Sequence, residues 1–318
     1  MEIGDDAREL DEPNERERQG HRRLDALRWS WPPHTFFALP PRYMMRENPE
    51  SDFDMSILQC TQDGIRTTRE GAILEVTLDR PKANAIDVPA SRRLNAIFTA
   101  FRDESTLRVA IVTGTGEKFF SPGWDLKNAA QGEPSDSDWG VGGFGGLNYP
   151  RNLDKPIIAA VNGIACGGGF ELVLGTDIIV MEEHARFALP EINVGVLADA
   201  GTIKLRRRIP YHVAVEMLMT GRWMDAAEAK HWGLANHVVP QGMALEKARA
   251  IARQLADGPP LLYPAIKQLL QHSEKLAEHE AFALHDSLHS VQAVIRSEDL
   301  KEGAQAFSAK RKPVWTGK

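Results

Sequence analysis

The stretch of sequence that decides the fold is residues 156–172, PIIAAVNGIACGGGFEL. Residues 156–161 are apolar and uncharged, which is typical of a short strand covered on both faces. Three glycines follow at positions 167 to 169, directly before an apolar stretch that predicts a helix beginning near Phe170. Because the first amides of a helix have no partner inside it, such a turn can hold an anion. The pattern predicts an α/β fold and is compatible with a backbone anion site.

A run of three glycines is not specific to anion binding. It also occurs at ordinary turns and at sites of close packing. A dinucleotide-binding loop needs the spacing Gly-x-Gly-x-x-Gly, which this segment lacks, and the residues before position 178 leave room for only a short helix. The glycines therefore indicate a site only in combination with other residues.

The segments on either side alternate between predicted strands and helices. Residues 73–78 alternate apolar and polar side chains, as in a strand with one buried face. A short β-branched run at 109–112 predicts a strand with both faces buried, and residues 178–180 add another strand. Asp225 and Glu228 are spaced as a capping box at the start of a helix. Further helices are predicted at 94–101, 244–255 and 282–295. The fold class is α/β, with a helical C-terminal third.

Composition places the chain among ordinary globular proteins. It has 318 residues, 42% apolar and 26% charged, and its formal charge of -6 excludes a generally basic nucleic-acid-binding surface. It contains no run of about 18 apolar residues, so we expect no membrane span. The two cysteines, Cys60 and Cys166, are too few for a disulfide framework and predict a reducing, cytoplasmic location. The ten histidines form no metal-binding pair beside a glutamate, so no metal is expected.

Residues 1–54 differ from the rest of the chain. They contain no lysine, many glutamates and arginines, and a proline-rich stretch at 31–41. This composition predicts a mostly disordered extension. Its acidic residues are atypical of a transit peptide, and it lacks the apolar run of a secretory signal. We divide the chain into this extension, an α/β core at 55–255 and a helical region at 256–318.

Four segments resemble the crotonase (enoyl-CoA hydratase/isomerase) family, and the similarity extends from residue 73 to the C-terminus. The resemblance lies in the order and spacing of the whole set. It implies a spiral of repeated ββα units followed by a helical C-terminal region that forms trimers. The segments are 80–87 (RPKANAID), 119–127 (FFSPGWDLK), 162–172 (NGIACGGGFEL) with 187–195 (FALPEINVG), and 297–315 (SEDLKEGAQAFSAKRKPVW).

The resemblance implies that the chain binds an acyl-coenzyme A thioester and holds its carbonyl oxygen with two backbone amides. The α-proton of a thioester can be removed when the charge of the enolate rests on an oxygen held by fixed donors. By the family pattern, these donors are the N–H groups of Trp124 and Gly168, and Gly123 and Gly167 form the turns beside them. Taken alone, a tryptophan such as Trp124 is more often a packing residue than a functional one.

Two glutamates flank this predicted oxyanion hole. Glu171 lies in the first turn of the predicted helix, and Glu191 follows Pro190. Adding water to an enoyl thioester needs one group that deprotonates water and one that protonates the α-carbon, so two carboxyl groups suffice. We assign Glu171 to the water and Glu191 to the α-carbon, with roles that can be shared. Each glutamate alone also fits a solvated helix terminus or a turn.

The resemblance also implies residues that bind the coenzyme A and acyl parts of the substrate. Cationic side chains suit the phosphates, and each is also typical of a solvated surface. Aromatic side chains suit a trimethylammonium acyl group, because a quaternary cation is attracted to ring faces and donates no hydrogen bond. The glycine-rich residues 140–146 predict a mobile lid. The candidates for binding the substrate and its coenzyme A part are Lys118, Gly123, Asp125, Lys127, Gly167 and Lys310, and the acyl-pocket candidates are Trp139, Phe144, Tyr149 and Asp199.

The predicted function is an acyl-CoA hydratase or dehydratase that acts on an enoyl-CoA or 3-hydroxyacyl-CoA thioester. Residues 81–87, residues 123–127 and the C-terminus most resemble the family members that dehydrate carnitinyl-CoA. No permanent cofactor is expected, since coenzyme A is part of the substrate, and the implied assembly is a homotrimer or hexamer. One alternative is a Δ3,Δ2-enoyl-CoA isomerase, because Asp199 lies in a loop where some relatives that isomerise double bonds use an acidic residue. The other is a non-catalytic acyl-CoA-binding scaffold.

Overall fold

Pairs of strands followed by a helix repeat along the chain and build two sheets. A computed structural model describes residues 55–134, 136–149 and 152–318. The disorder predicted for residues 1–54 lies outside the described residues. The strands are β1 (Thr61–Gln62), β2 (Ile65–Glu70), β3 (Ile73–Leu78), β4 (Val109–Gly114), β5 (Phe119–Ser121), β6 (Ile157–Val161), β7 (Ile164–Cys166), β8 (Ile178–Glu182), β9 (Arg186–Ala188), β10 (Met224–Asp225) and β11 (His237–Val239).

Helices follow the strand pairs and make up most of the C-terminal third. They are α1 (Val88–Asp103), α2 (Leu126–Ala130), α3 (Gly168–Leu174), α4 (Asp199–Lys204), α5 (Tyr211–Thr220), α6 (Ala226–His231), α7 (Ala244–Ala256), α8 (Leu262–Ser273), α9 (Glu278–Ser287), α10 (His289–Arg296) and α11 (Glu298–Ser308), with 3-10 turns at Met55–Gln59, Phe144–Gly146, Pro190–Val194 and Leu205–Arg207. The helices predicted at 94–101 and 244–255 are confirmed as parts of α1 and α7. Asp225 caps α6 as predicted, since its side chain accepts a hydrogen bond from the Glu228 amide at 2.8 Å. Within the described ranges, no helix has the length and apolar character of a membrane span.

Each ββα repeat after the first divides its strands between the two sheets. The seven-stranded sheet has the order β1-β2-β3-β4-β6-β8-β11, and the four-stranded sheet has the order β10-β9-β7-β5. Strands β4, β6 and β8 are parallel neighbours in the large sheet, and β5, β7 and β9 are parallel neighbours in the small one. The α/β spiral of ββα units predicted from the sequence is therefore confirmed.

The parallel strands of the large sheet are buried on both faces, as their apolar sequences predict. In β4, Val112 packs into the main core, whereas its neighbour Ile111 packs into a second cluster with α7. Helix α7 contributes Ala244, Ala248 and Ala252 to that cluster. Residues four positions apart lie on one face of a helix, so this row of small side chains lets α7 lie flat on the sheet.

Strand β3 has the predicted bounds, but its polar positions are covered. Thr77 is buried and Glu75 is half-buried, so the exposed face expected from the alternating pattern is absent. The physical reason is that α7 lies over this part of the sheet. Its Arg249 donates two hydrogen bonds to the Glu75 carboxylate, at 2.9 and 3.0 Å, so the charge on Glu75 is paired.

The single helix predicted at 282–295 is wrong, because the chain breaks at Leu288. That residue is extended, with φ -69° and ψ 124°, and it separates α9 from α10. Leu288 is buried in a small cluster with Ala265 of α8 and Val291 of α10. Burying this side chain between the helices requires the turn. The proposed boundary between a core ending at residue 255 and a helical region from 256 lies at the end of α7 and stays a prediction.

Candidate active site

The carboxyl ends of three parallel strands bring the predicted catalytic segments together. In the small sheet β5 pairs with β7, and β7 pairs with β9, both in parallel. Since parallel strands run in one direction, all three end at the same edge of the sheet. The segments that leave this edge contain Trp124 after β5, Gly168 and Glu171 after β7, and Glu191 after β9.

The backbone around Trp124 directs its amide away from the neighbouring segment. Trp124 forms a parallel bridge with Ile86. In this bridge the Ile86 amide donates to the Gly123 carbonyl at 2.8 Å, and the Asp125 amide donates to the Ile86 carbonyl at 3.0 Å. The bonds of such a bridge are made by the two residues that flank the paired residue. The N–H of Trp124 itself therefore points to the opposite side.

Two glycines allow the Trp124 segment and the start of α3 to touch backbone to backbone. Gly123 has a φ of +85°, and a Cβ atom built on it would lie 2.5 Å from the Gly168 nitrogen. Gly168 is the first residue of α3, so its amide has no partner within the helix. A Cβ atom at Gly168 would collide with the ring of Phe144. The absence of side chains at these positions brings the amides of Trp124 and Gly168 close together.

Glu171 is buried in the first turn of α3 and accepts two hydrogen bonds. The Gly201 amide donates to Oε1 at 2.8 Å, and Asn148 Nδ2 donates to Oε2 at 3.4 Å. Burial raises the pKa of the Glu171 carboxyl above its ordinary value, and the nearby Asp199 carboxylate raises it further. The two hydrogen bonds and Lys204 lower this pKa without cancelling the rise. Glu171 therefore binds a proton more readily than an exposed glutamate does.

Glu191 lies at the start of the 3-10 turn Pro190–Val194, in different surroundings. Its side chain is half-buried, and its Oε2 has no hydrogen-bond partner among the described residues. A Cβ atom on Gly167 would lie 3.2 Å from its Oε1, so the carboxyl faces the glycine turn before α3. Burial, with a further contribution from the charge of Glu171, raises the pKa of Glu191 to about 7. This carboxyl therefore exchanges a proton near neutral pH.

Asn148 and Lys204 support Glu171, and the sequence analysis missed both. Lys204 donates from Nζ to the Leu147 carbonyl at 2.7 Å, which fixes the backbone next to Asn148. Lys204 belongs to α4, the helix whose Gly201 amide binds Glu171. Burial lowers the pKa of Lys204 to about 8. Helix α4 thus holds Glu171 directly through Gly201 and indirectly through the loop that carries Asn148.

The rings of Trp124, Trp139 and Phe144 form an aromatic row between the two amides. The row begins at Trp124 and ends against Gly168. The ring centroids of Trp124 and Trp139 are 5.9 Å apart, and those of Trp139 and Phe144 are 5.1 Å apart. The Phe144 ring lies against Gly168. At the other end, Trp124 donates from Nε1 to Glu133 Oε1 at 2.7 Å. Two acyl-pocket candidates, Trp139 and Phe144, are therefore at the site, together with a glutamate that the sequence analysis did not single out.

The glycine-rich residues 140–146 are tied to α1, which differs from the mobile lid predicted from their composition. Asn95 of α1 donates to the carbonyls of Trp139 and Gly143, at 2.8 and 2.9 Å, and accepts from the amide of Gly142. Ser91 Oγ accepts from the Gly145 amide at 3.0 Å. The absence of side chains lets this backbone approach α1 closely, and most of these glycines are buried.

Among the coenzyme A candidates, Asp125 and the three lysines lie at or near the surface, and two of these four side chains make contacts within the chain. Asp125 caps the short helix α2, since its side chain accepts from the Lys127 amide at 3.1 Å. Lys118, Lys127 and Lys310 are exposed, and the Lys118 ammonium lies 5.3 Å from the centroid of the Phe119 ring. Across residues 55–134, 136–149 and 152–318, no group of three or more His, Cys, Asp or Glu side chains is arranged to hold a metal ion.

The last two acyl-pocket candidates are exposed. Tyr149 borders Gly143, and Asp199 begins α4, near enough to Glu171 to raise the pKa of that carboxyl.

The structure adds an open apolar cavity of about 380 Å³ that begins at Glu191 and that the sequence did not predict. Its apolar lining includes Leu189, Val196, Leu197, Tyr211, Leu218 and Met219.

Comparisons with known proteins agree with this geometry. The chain is 50% identical over 259 residues to the carnitinyl-CoA dehydratase of Citrobacter koseri, covering 80% of this chain and 99% of that protein. It is 49% identical to the carnitinyl-CoA dehydratase of Escherichia coli K12, with the same coverage. An enoyl-CoA hydratase crystal structure from Mycobacterium tuberculosis H37Rv has a TM-score of 0.74 and 36% identity, covering 81% of this chain and all of that one (100%).

A second solved structure, the enoyl-CoA hydratase of Bacillus anthracis, has a TM-score of 0.74 at 32% identity and covers 80% of this chain and 100% of its own. The family profile described as Enoyl-CoA hydratase/isomerase matches residues 68–318. That range contains both glutamates, both amides and the aromatic row. The match extends over well above half of the chain, and the chain therefore belongs to the enoyl-CoA hydratase/isomerase family.

Proposed function

We propose that the protein is an acyl-CoA hydratase/dehydratase that interconverts a 3-hydroxyacyl-CoA and its enoyl-CoA, with carnitinyl-CoA as the substrate. The observation that carries this proposal is the pair of carboxyl groups withdrawn from solvent, Glu171 and Glu191, beside two neighbouring backbone amides. Relatives at about 50% identity that are named carnitinyl-CoA dehydratase support the choice of acyl group.

The amides of Trp124 and Gly168 bind the thioester carbonyl oxygen in this mechanism. Removing the α-proton moves negative charge onto that oxygen, and fixed N–H donors stabilise the charge without reorganising. The orientation of the Trp124 amide away from Ile86 and the free first-turn amide of α3 support these roles. A donor of this kind typically contributes about a hundredfold to a thousandfold in rate.

The two glutamates exchange roles between the two directions. In dehydration, the Glu191 carboxylate removes the α-proton, the bond between the β-carbon and the hydroxyl oxygen breaks, and Glu171 gives its proton to the departing oxygen to form water. In hydration, the Glu171 carboxylate takes a proton from water while the water oxygen bonds to the β-carbon, and Glu191 protonates the α-carbon. One proton on the pair serves both directions.

The position of Asp199 favours hydration over double-bond isomerisation. Isomerisation needs one base that moves a proton between two carbons, whereas hydration needs a second carboxyl for water. Glu171 and Glu191 are withdrawn from solvent, and burial raises the pKa of both carboxyls, which suits groups that give and take protons. Asp199, in contrast, is exposed at the start of α4. The water-directed role therefore goes to Glu171.

Coenzyme A binding and assembly complete the proposal. The exposed ammonium groups of Lys118 and Lys127 suit the phosphates, and Lys310 suits those of a ligand on a neighbouring subunit. A homotrimer or a hexamer is supported by large apolar side chains on the C-terminal helices, where Leu270 is 68% exposed and Phe307 is 88% exposed. Burying such side chains between subunits removes apolar area from water. Sedimentation analysis measures the subunit number.

The activity is tested by following the enoyl-thioester absorbance with crotonobetainyl-CoA and crotonyl-CoA side by side. We expect wild-type protein to hydrate both, crotonobetainyl-CoA faster. Glu171→Gln and Glu191→Gln each remove one proton-transfer group while keeping the shape of the side chain. Each should lower the hydration rate by about a hundredfold to ten-thousandfold.

The matched control is Glu183→Gln, which removes one negative charge from an exposed side chain in the turn between β8 and β9. It should leave turnover unchanged. If both active-site variants still hydrated the enoyl thioester at the wild-type rate, the two-glutamate mechanism would be wrong. Conversion of a 3-enoyl thioester without any hydration of a 2-enoyl thioester would instead identify an isomerase.

A further inference from the structure

Glu133 brings a carboxylate to the aromatic row beside the proposed oxyanion hole. Its Oε1 accepts the Nε1–H of Trp124 at 2.7 Å, and the side chain is half-buried. A carboxylate that accepts this hydrogen bond increases the negative charge on the indole ring. A cation lying over such a ring gains from both the ring face and the carboxylate.

The aromatic row lies beside the two proposed donors to the thioester carbonyl, and an ammonium group on a short acyl chain stays close to that carbonyl. In carnitinyl-CoA, four single bonds separate the carbonyl carbon from the nitrogen. At about 1.5 Å a bond, the nitrogen lies about 5 Å from the carbonyl carbon. The amides of Trp124 and Gly168 are the proposed donors to the carbonyl oxygen. The Trp124 ring is part of the row, and Gly168 lies against the Phe144 ring of the row.

We infer that Glu133 and the aromatic row of Trp124, Trp139 and Phe144 form a subsite for a quaternary ammonium group, and that Glu133 determines the preference for a cationic acyl chain. This inference rests on the proposed function and adds its specificity. A quaternary ammonium has no N–H to donate, so ring faces and an unneutralised carboxylate recognise it better than hydrogen-bond acceptors alone. Among the described residues, no cationic side chain forms an ion pair with Glu133.

A purely structural role for Glu133 makes a different prediction. Its Oε2 also accepts the Val88 amide at 3.4 Å, at the start of α1, where a negative charge stabilises the helix. If supporting α1 and orienting Trp124 were its whole role, a glutamine at this position would affect cationic and neutral substrates alike. A specificity role affects the cationic substrate alone.

The test compares crotonobetainyl-CoA with the neutral thioester in which carbon replaces the ammonium nitrogen, leaving a tert-butyl group of the same shape. We expect wild-type protein to prefer the cationic thioester in kcat/KM by about tenfold. Glu133→Gln keeps an acceptor for the Trp124 indole but removes the charge. It should raise KM for the cationic thioester several-fold, leave kcat nearly unchanged, and leave both constants for the neutral thioester unchanged. Trp139→Leu should also lower the preference.

Binding measurements keep the inference testable apart from turnover. Calorimetry with the Glu191→Gln variant gives Kd for both thioesters whether or not wild-type protein hydrates them. If the protein turned over neither thioester but bound the cationic one with the lower Kd, the proposed activity would be wrong and the subsite would stand. Equal Kd values for the two thioesters, or equal losses for both in Glu133→Gln, would overturn the subsite. Glu183→Gln, which removes an exposed charge elsewhere, should keep the full preference.

Discussion

Glu171 and Glu191 differ in how the protein holds them, although the proposed mechanism uses both. Glu171 has a donor on each oxygen, from Gly201 at 2.8 Å and from Asn148 at 3.4 Å. Glu191 lies on a short 3-10 turn, and its buried Oε2 has no protein partner among the described residues. Burial raises the pKa of both carboxyls. The difference fits the roles proposed above, in which Glu171 orients a water or hydroxyl and Glu191 keeps an oxygen available for a proton that moves to and from carbon.

Exchange of the α-proton with solvent separates the two roles and should give the largest effect. A saturated thioester such as butyryl-CoA can lose and regain an α-proton but has no hydroxyl to eliminate. In deuterated water, Glu191→Gln should lower α-exchange and hydration alike, by about a hundredfold to ten-thousandfold. Glu171→Gln should lose hydration to the same extent but keep exchange within about threefold of wild type, because α-proton removal requires only Glu191. Proton NMR of the thioester measures the exchange.

Reversal of this pattern would exchange the two assignments. If Glu171→Gln abolished exchange and Glu191→Gln kept it, Glu171 would serve the α-carbon. Equal loss in both variants would mean that the two carboxyls share the α-proton. Glu183→Gln should exchange and hydrate as wild type does, which controls for the loss of one charge.

The pH dependence tests the different proton affinities and should give the next largest effect. Burial, with a further contribution from the charge of Glu171, raises the pKa of Glu191 to about 7, and burial also raises the pKa of Glu171. Above the higher of these two pKa values, at about pH 7 or above, the pair lacks the single proton that the proposed reaction needs. Hydration kcat/KM should therefore fall about tenfold per pH unit above that value. Because no proton is gained or lost overall, dehydration should show the same profile.

The Glu171→Gln variant provides the control for this coupling. Its α-exchange needs the Glu191 carboxylate alone, so exchange should rise with pH as Glu191 ionises. Without the charge of Glu171, the pKa of Glu191 should fall, and the rise should occur below pH 7. An inflection that stays near 7 in this variant would show that burial alone sets the value.

The sequence predicted those parts of the site that local patterns determine. The apolar strand runs, the helix at the triple glycine and the Asp225 cap depend on neighbours a few residues away, and they were predicted correctly. The contacts of Glu171 were missed, because Asn148 and Gly201 lie 23 and 30 residues from it along the chain. Glu133 was missed because nothing in its surroundings predicts that its carboxylate meets the indole of Trp124.

Two misjudged segments have the same physical cause. Glycines at 140–146 predicted mobility, but Asn95, which is 47 residues before Gly142, binds that backbone. No glycine or proline marks the break at Leu288, which follows from burial of that side chain beside α8. Patterns along the chain predict elements and their caps, whereas contacts between distant segments decide which polar groups meet.

Removal of the Asn148 amide should give the smallest effect and acts on Glu171 alone. Asn148→Ala leaves Oε2 of Glu171 buried without its donor, which favours the protonated carboxyl and raises the pKa of Glu171 further. Hydration needs the Glu171 carboxylate, so the acidic limb of the kcat/KM profile should move to higher pH. At neutral pH we expect hydration to fall about threefold to tenfold. Exchange of the butyryl-CoA α-proton should stay near the wild-type rate, because Glu191 has no contact with this amide among the described hydrogen bonds. An equal fall in exchange and hydration, with an unmoved acidic limb, would mean that Asn148 supports the whole site and does not orient Glu171 in particular.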